Sequence, residues 1–332
     1  MGATVAAARA AIASALSLAL AACAAARLPL LAPDSPAFLW RVTRADAPDR
    51  PLYVAGALHF GRPDLAWPRS LRAAFARAEV LVVEADAEAT PQDTVRRLTR
   101  ELATYRPPDG LSAHVSLETE TIVRGVLTRL GLSAANAERL RPWALATIIT
   151  VAWIQKAGYS ADLGVDATLL REARGAKVIV QLESMPEHLH LLANLPERTQ
   201  ERMLRAALED VRAGVEALDR MSAAWERGDV AAFEALVFAD EGEAEVREVL
   251  YFERNRKMAE RIAPLVGAPR THLVVVGAGH LVGDEGLLSL LRRRGLEVRQ
   301  LAREERLGGQ AERAVPHVPS ARALALASSP AR

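Results

Sequence analysis

Two histidines and two glutamates each follow a short apolar segment of the kind that forms a buried strand. They are His59, Glu84, Glu183 and His280. In open α/β sheets, ligands bind beyond the carboxyl ends of the strands, so we expect these four side chains to meet in one crevice. Two imidazoles with one or two carboxylates form a ligand set for zinc, manganese or cobalt, and the carboxylates shift the preference toward manganese.

The two histidines end similar segments. LYVAGALH ends at His59 and LVVVGAGH ends at His280. Each segment reads as a strand and a G-x-x-H turn, and a predicted helix and another strand follow it. Gly56 and Gly277 would let the backbone turn sharply and approach a neighbour closely. The pattern predicts two related halves of one sheet whose turns share an edge, although chance similarity between two apolar-rich segments is an alternative.

Each of the four residues also has a structural interpretation. A single histidine after a strand is commonly a hydrogen-bonded structural residue, and a glutamate there can be the stabilising charge at a helix N-terminus. The four together favour a site over four separate coincidences. The remaining histidines are interpreted as structural or solvated; they are His114, His188, His190, His272 and His317.

A charged segment before the last pair of strands supplies two further candidates, Arg254 and Asn255. Arg254 could hold a substrate carbonyl or carboxylate and stabilise a developing oxyanion. The alternative is a solvated helix face, which is the usual role of a dense charge run. The sequence contains no G-x-S-x-G, H-E-x-x-H or Walker motif, so it offers no support for those serine, zinc or nucleotide sites.

Alternating strands and helices must position these residues, which predicts an α/β fold with a central sheet and a large helical insert. Strands are expected at 52–55, 80–83, 177–182, 272–276 and 296–301. Helices are expected at 68–78, 118–130, 142–157, 165–174 and 285–294, with an almost wholly helical region at 186–265.

The two ends of the chain have a different character. Residues 1–23 form a short apolar signal that ends in Leu-Ala-Ala-Cys, which resembles a bacterial lipobox, and Cys23 is the one cysteine. We predict lipidation at Cys23, a tether at 24–36, a catalytic domain at 37–304 and a disordered tail at 305–332. An ordinary secretory signal is the alternative. The expected location is the outer membrane, facing the periplasm, since Ala24 gives no inner-membrane retention signal.

Composition excludes several classes of protein. The chain has 332 residues, a net charge of +1, 50% hydrophobic and 25% charged residues, which excludes a disordered chain or a coiled-coil rod. The charge balance gives no case for nucleic-acid binding. One cysteine excludes an intrachain disulfide and a cysteine-rich zinc site. The oligomeric state is left open.

Five segments together resemble the TraB/GumN family, which is related to the Tiki metalloproteases and more distantly to the erythromycin esterase and ChaN-like proteins. They are YVAGALHFG, VLVVEAD, GVDATLLREARGAKVIVQLES, ERNRKMAERI and VVVGAGHLVGDEGLLSLLRRRGLEV, in that order along the chain. The resemblance implies an active site that includes His59, Glu84 and His280. It also matches Glu183 to a second acidic strand end and Arg254 and Asn255 to the family's basic helix.

This resemblance implies a hydrolase, most plainly a peptidase, that uses a divalent metal, with manganese or cobalt favoured and zinc possible. In that hypothesis His59, Glu84 and His280 hold the metal, and Glu183 is a further ligand or the general base. A second hypothesis is a lipoprotein that binds a peptide or small molecule without turnover. A third is a metal-independent esterase in which His59 is the general base and Glu84 orients the water.

Overall fold

A six-stranded sheet forms the centre of the molecule in the computed structural model, which describes residues 31–239 and 244–307. The strands run β1 (Pro36–Arg44), β2 (Ala47–Ala57), β3 (Val80–Val83), β4 (Val178–Gln181), β5 (His272–Gly277) and β6 (Glu297–Ala302). Their order across the sheet is β4-β3-β5-β2-β1-β6. Neighbours among β4, β3, β5 and β2 are parallel, whereas β1 is antiparallel to both β2 and β6.

Strands β3 and β5, the two inner strands of the parallel part of the sheet, are buried along their whole length. Their sequences, VLVV and HLVVVG, are almost continuous apolar runs, as expected for parallel strands that are covered on both faces. The edge strand β4 alternates between exposed and half-buried residues. The carboxyl ends of four parallel strands therefore lie side by side at one edge, and that edge carries the predicted residues.

Thirteen α-helices of the described residues surround the sheet or form the insert. They are α1 (Arg69–Arg77), α2 (Gln92–Ala103), α3 (Leu117–Leu130), α4 (Ala134–Glu138), α5 (Pro142–Lys156), α6 (Val165–Ala173), α7 (Met185–Ala193), α8 (Glu197–Ala213), α9 (Glu216–Glu226), α10 (Val230–Val237), α11 (Ala244–Arg247), α12 (Glu253–Ile262) and α13 (Leu287–Arg293). A π-helical turn, Glu248–Phe252, joins α11 to α12.

The helical insert has its own apolar core. Helices α3, α5 and α8 bury Val126, Ile149 and Leu208 against one another, separately from the core around the sheet. Helix α5 is apolar on nearly every side, and its buried residues contribute both to this cluster and to a second one that includes Trp143 and Ala144. None of the helices in the described ranges is both long and apolar enough to cross a membrane.

The prediction of an α/β fold with a central sheet and a helical insert is confirmed, and the strand at 80–83 has its predicted bounds. Strand β1 and helices α2 and α4 were not predicted. Pro36, placed in the tether, is the first residue of β1. The two G-x-x-H strands, β2 and β5, are parallel neighbours offset by one residue, since Ala57 rather than Gly56 pairs with Gly277.

The predictions for the two ends fall mostly outside the described residues, and so does Cys23. Of the predicted tail, residues 305–307 are described. Glu305 accepts hydrogen bonds from Arg299 at 2.6 and 3.1 Å, and the carbonyl of Leu307 accepts one from Arg77 at 2.7 Å. These first tail residues therefore contact the domain.

Candidate active site

The four predicted residues lie together at the carboxyl edge of the sheet. Glu84 directly follows β3, and Glu183 lies two residues after the end of β4. The backbone N–H of Glu183 donates to the Glu84 carbonyl at 2.8 Å. His59 follows β2, and His280 ends a short 3₁₀ turn after β5. Because β4, β3, β5 and β2 are consecutive in the sheet, the four strand ends bring these side chains into one cluster.

Gly277 is the close-packing point of this cluster. A Cβ atom at this position would lie 2.6 Å from His59 Nε2 and 3.5 Å from Glu84 Oε2. The Gly277 N–H donates to Glu84 Oε2 at 3.0 Å. Glycine fits here because the His59 ring packs against the backbone. Backbone conformation is not the reason, since other residues also adopt its φ angle of −51°. Gly56 is similarly tight, but against the apolar side chains of Phe38 and Leu281.

His59 is oriented by a carboxylate that the sequence reading did not single out. His59 Nδ1 is 2.7 Å from Asp166 Oδ2, at the start of α6, and His59 Nε2 faces Glu84 Oε2 at 4.0 Å. The His59 side chain is 50% exposed. Desolvation opposes its charged form, but the hydrogen bond to Asp166 and the charges of Asp166 and Glu84 raise the pKa of His59 to about 9.

His280 is oriented by an amide in a buried setting. His280 Nδ1 lies 2.7 Å from Asn255 Oδ1, and Asn255 Nδ2 donates to the Glu285 carbonyl at 2.9 Å. With its amide fixed in this direction, Asn255 accepts the Nδ1 proton, so Nε2 of the neutral ring carries the lone pair. The side chain is 4% exposed, and the Tyr251 ring lies 5.2 Å away between centroids.

Arg254 connects the cluster, and all five of its N–H groups have acceptors. Nε donates to Glu183 at 2.9 and 3.0 Å, and Nη2 donates to Glu183 at 2.8 Å and to Glu84. Nη1 donates to the Leu250 carbonyl at 2.9 Å and to His280 Nε2 at 3.2 Å. The oxyanion role predicted for Arg254 requires a free N–H, and the guanidinium offers none in this arrangement.

Glu84 is the negative centre between the two rings. Its Oε1 is 3.5 Å from His280 Nε2 and also accepts from Arg254. Burial alone would raise the pKa of Glu84, but the positive charges of Arg254 and His59 hold that pKa well below its usual range. The folded structure therefore favours the ionised form of Glu84.

The predicted metal ligands do not form a free ligand set in this arrangement. A divalent ion would need the lone pair of His280 Nε2 and an oxygen of Glu84, and Arg254 donates to both. Across 31–239 and 244–307, no group of three or more His, Cys, Asp or Glu side chains is placed to hold an ion. The metal site of His59, Glu84 and His280 therefore stays a prediction that requires Arg254 to move.

Two residues of this region were missed from the sequence. Asp166 lies 107 positions from His59 and is one acidic residue at a helix start among many. His188 on α7 was interpreted as structural or solvated, and charged residues of the site influence its pKa. Burial lowers the pKa of His188, and the charge of Arg254 lowers it further, while Glu84 and Glu183 act in the opposite direction.

The site combines a G-x-x-H turn on each of two adjacent parallel strands, β2 and β5, with a glutamate at the end of the next strand, β3. Residues 38–300 match the model of the TraB/PrgY/gumN family, so the chain is a member of that family. It is 24% identical over 251 residues to the uncharacterized protein YbaP of Escherichia coli, covering 74% of this chain and 89% of YbaP.

Two other relatives also match, one over most of the chain and one over a short segment. YbaP of Shigella flexneri matches with the same identity and coverage. A metalloprotease Tiki homolog of the sponge Amphimedon queenslandica is 35% identical over 66 residues, which is 19% of this chain and 13% of that protein. No solved structure matches the chain significantly.

Proposed function

We propose that this protein is a hydrolase that cleaves a carbonyl substrate, a peptide or an ester, at the cluster of His59, Glu84, Arg254 and His280. One observation carries the proposal: each ring is held at Nδ1 by an oxygen, and each Nε2 faces an oxygen of Glu84, at 4.0 Å for His59 and 3.5 Å for His280. Polar partners that fix tautomer and ring direction are typical of histidines in active sites.

His59 is the proposed general base. Its ring is half-exposed, its Nδ1 is held by the Asp166 carboxylate, and its Nε2 is therefore the atom that meets solvent and substrate. The distance of 4.0 Å to Glu84 Oε2 exceeds a hydrogen bond, but one water molecule could bond to both atoms. That water would attack the carbonyl carbon, lose its proton to His59 Nε2, and the leaving group would take the proton from the same atom.

Arg254, Gly277 and His280 hold the carboxylates of the site in place. Arg254 fixes both oxygens of Glu183 and one of Glu84, and the backbone of Gly277 fixes the second oxygen of Glu84. Buried His280 accepts from Arg254 and so keeps the guanidinium in place. Preorganised charges of this kind lower a barrier because they need no rearrangement during the reaction.

Hydrolysis of a panel of internally quenched peptides and nitrophenyl esters tests this function. We expect turnover by the wild type and a loss of on the order of 10²–10⁴-fold in His59→Gln, the usual contribution of general base catalysis. A matched control is His272→Gln, since His272 is a buried histidine of β5 whose Nδ1 bonds to the Arg270 carbonyl. Specific ligand binding without turnover would instead favour the binding lipoprotein.

A metal-dependent peptidase is the second candidate. It is supported by the similarity to the metalloprotease Tiki homolog and by the pair of imidazoles with a carboxylate. It requires Arg254 to release His280 Nε2 and Glu84. Turnover that is lost in EDTA and restored by Mn²⁺, Co²⁺ or Zn²⁺ would favour this candidate over the metal-independent one.

We propose that the protein works in the cell envelope, anchored by lipid at Cys23 and facing the periplasm from the outer membrane. The support is the lipobox-like sequence Leu-Ala-Ala-Cys at the end of an apolar signal. Acyl chains contribute about 0.8 kcal/mol per buried CH₂, so several chains anchor a protein stably. Cys23→Ser should leave the protein unlipidated and shift its mature mass; an unchanged mass and membrane fraction would refute the anchor.

A further inference from the structure

The positive charge between the two carboxylates of the site is the Arg254 guanidinium. The Arg254 side chain is 8% exposed and lies between two carboxylates that are 16% and 15% exposed. Its donors bond to Glu84, Glu183, His280 and the Leu250 carbonyl. A divalent metal held by the two histidines and Glu84 would compensate the same carboxylate and use the same imidazole lone pair.

The local backbone supports this placement. The π-helical turn Glu248–Phe252 ends two residues before Arg254, and the carbonyl of Leu250 within it accepts a hydrogen bond from Nη1. Turns of this kind within helices are frequent at functional sites. Asn255, the next residue, orients His280. The segment from Glu248 to Asn255 therefore supplies the Arg254 guanidinium, holds it through the Leu250 carbonyl and orients the His280 ring beside it.

We propose that Arg254 is the resident cation of the site: it occupies the position that a metal would need and thereby keeps the affinity for divalent metal low. Arg254 is then a positioning residue that holds Glu84, Glu183 and His280 in their active arrangement. A bound metal would face a buried guanidinium that competes for its ligands and repels its charge. Metal binding is measured without turnover, so the outcome is separate from that of the hydrolase proposal.

Titration of the EDTA-treated protein with Co²⁺ and Zn²⁺ tests this directly, by calorimetry and by the visible absorption of bound Co²⁺. We expect weak binding by the wild type and binding tighter by on the order of tenfold or more in Arg254→Met, because the repulsion between the guanidinium and the ion is removed. Arg254→Lys keeps a positive charge and should bind as weakly as the wild type. Arg256→Met is the matched control, because Arg256 lies on the same helix but is 43% exposed.

The wild-type titration decides the question even if Arg254→Met does not fold. Weak binding that is unchanged in His59→Ala and His280→Ala supports the resident cation. Tight binding of one ion by the wild type, lost in either histidine variant, would overturn the proposal. So would a folded Arg254→Met variant that binds metal no more tightly than the wild type.

Discussion

The two G-x-x-H turns are alike in sequence and lie on adjacent parallel strands, yet their histidines have opposite environments. The His59 side chain is 50% exposed and bonds to a carboxylate, whereas that of His280 is 4% exposed and bonds to an amide. An accessible ring beside a carboxylate is suited to proton transfer. A buried ring beside an amide is suited to holding its neighbours. The partner at Nδ1 and the degree of burial, rather than the motif, thus separate the two roles.

The segments after the two turns explain this difference. After β5, the chain forms a 3₁₀ turn, Ala278–His280. The His280 ring is covered by Tyr251 and by the start of α12. After β2, no helix begins until Arg69, and the Gly61 backbone pairs with Ser160 instead. The first turn therefore stays open to solvent, and the second is closed by the helix that carries Arg254.

The largest expected effect comes from the closed side of the site. Arg254→Met leaves Glu84 and Glu183 buried without their cation, and breaking such a pair costs about 3–5 kcal/mol of unfolding free energy. Urea denaturation followed by circular dichroism measures this cost. Arg293→Met removes an exposed pair with Glu285 and should cost about 0–1 kcal/mol. Equal costs would show that the buried network does not hold the site together.

Alanine variants of the two histidines compare the turns directly. His280→Ala should cost about 2–3 kcal/mol, because it opens a cavity and leaves Asn255 Oδ1 buried without a donor. His59→Ala should cost less than His280→Ala, because half of the His59 ring is already in water and solvent screens its ion pair with Asp166. Thermal and urea unfolding of both variants checks the order. A reversed order would contradict the division into a framework ring and a reactive ring.

A methyl group at Gly277 should disturb the contact between the turns. Gly277→Ala would place Cβ 2.6 Å from His59 Nε2, and we expect about 1–3 kcal/mol of destabilisation together with loss of hydrolysis. Gly125→Ala is the control: Gly125 lies in α3 with nothing near its Cβ position, so the change should stabilise the protein by up to about 1 kcal/mol. Unchanged activity in Gly277→Ala would show that the ring position is not critical.

The smallest expected effect on stability concerns the proton on His59. Its folded pKa of about 9 exceeds the unfolded value of 6.5, so its contribution to stability is complete below pH 6.5 and is lost as pH rises through about 9. Asp166→Asn should lower the pKa of His59 and flatten this pH dependence. Imidazole NMR titration of both proteins, with unfolding curves from pH 6 to 10, measures it. An unchanged His59 pKa would rule out Asp166 as its partner.

The sheet and the candidate residues could be predicted because each depends on local sequence. The runs VLVV and LVVV are long enough and apolar enough to be buried strands, and Glu84 and His280 stand at fixed distances after them. Strand β1 was harder, because PAFLWRVTR is flanked by loop-like residues and is stabilised by pairing with β2 and with the distant β6. Its status as a strand depends on partners that the local pattern does not contain.

The hydrogen bonds within the site could not be predicted, because they join residues that are far apart in the chain. Asp166 meets His59 only because α6 packs beside the strand ends, and nothing in the spacing of these residues indicates that contact. Arg254 could be recognised as a candidate, but the sequence does not show that Glu84, Glu183, His280 and the Leu250 carbonyl together use all of its donors. That arrangement is the observation that bears on the predicted metal site.

The pH dependence of kcat/KM for the EDTA-treated wild type and for His59→Gln, on the best substrate of the peptide and ester panel, tests the central claim most directly. If His59 is the general base, wild-type kcat/KM should persist without metal and rise with pH to a plateau above about 9, the pKa of His59. His59→Gln should lose both the activity and this ascending limb. Turnover that needs added metal, or an unchanged pH profile in His59→Gln, would contradict the account.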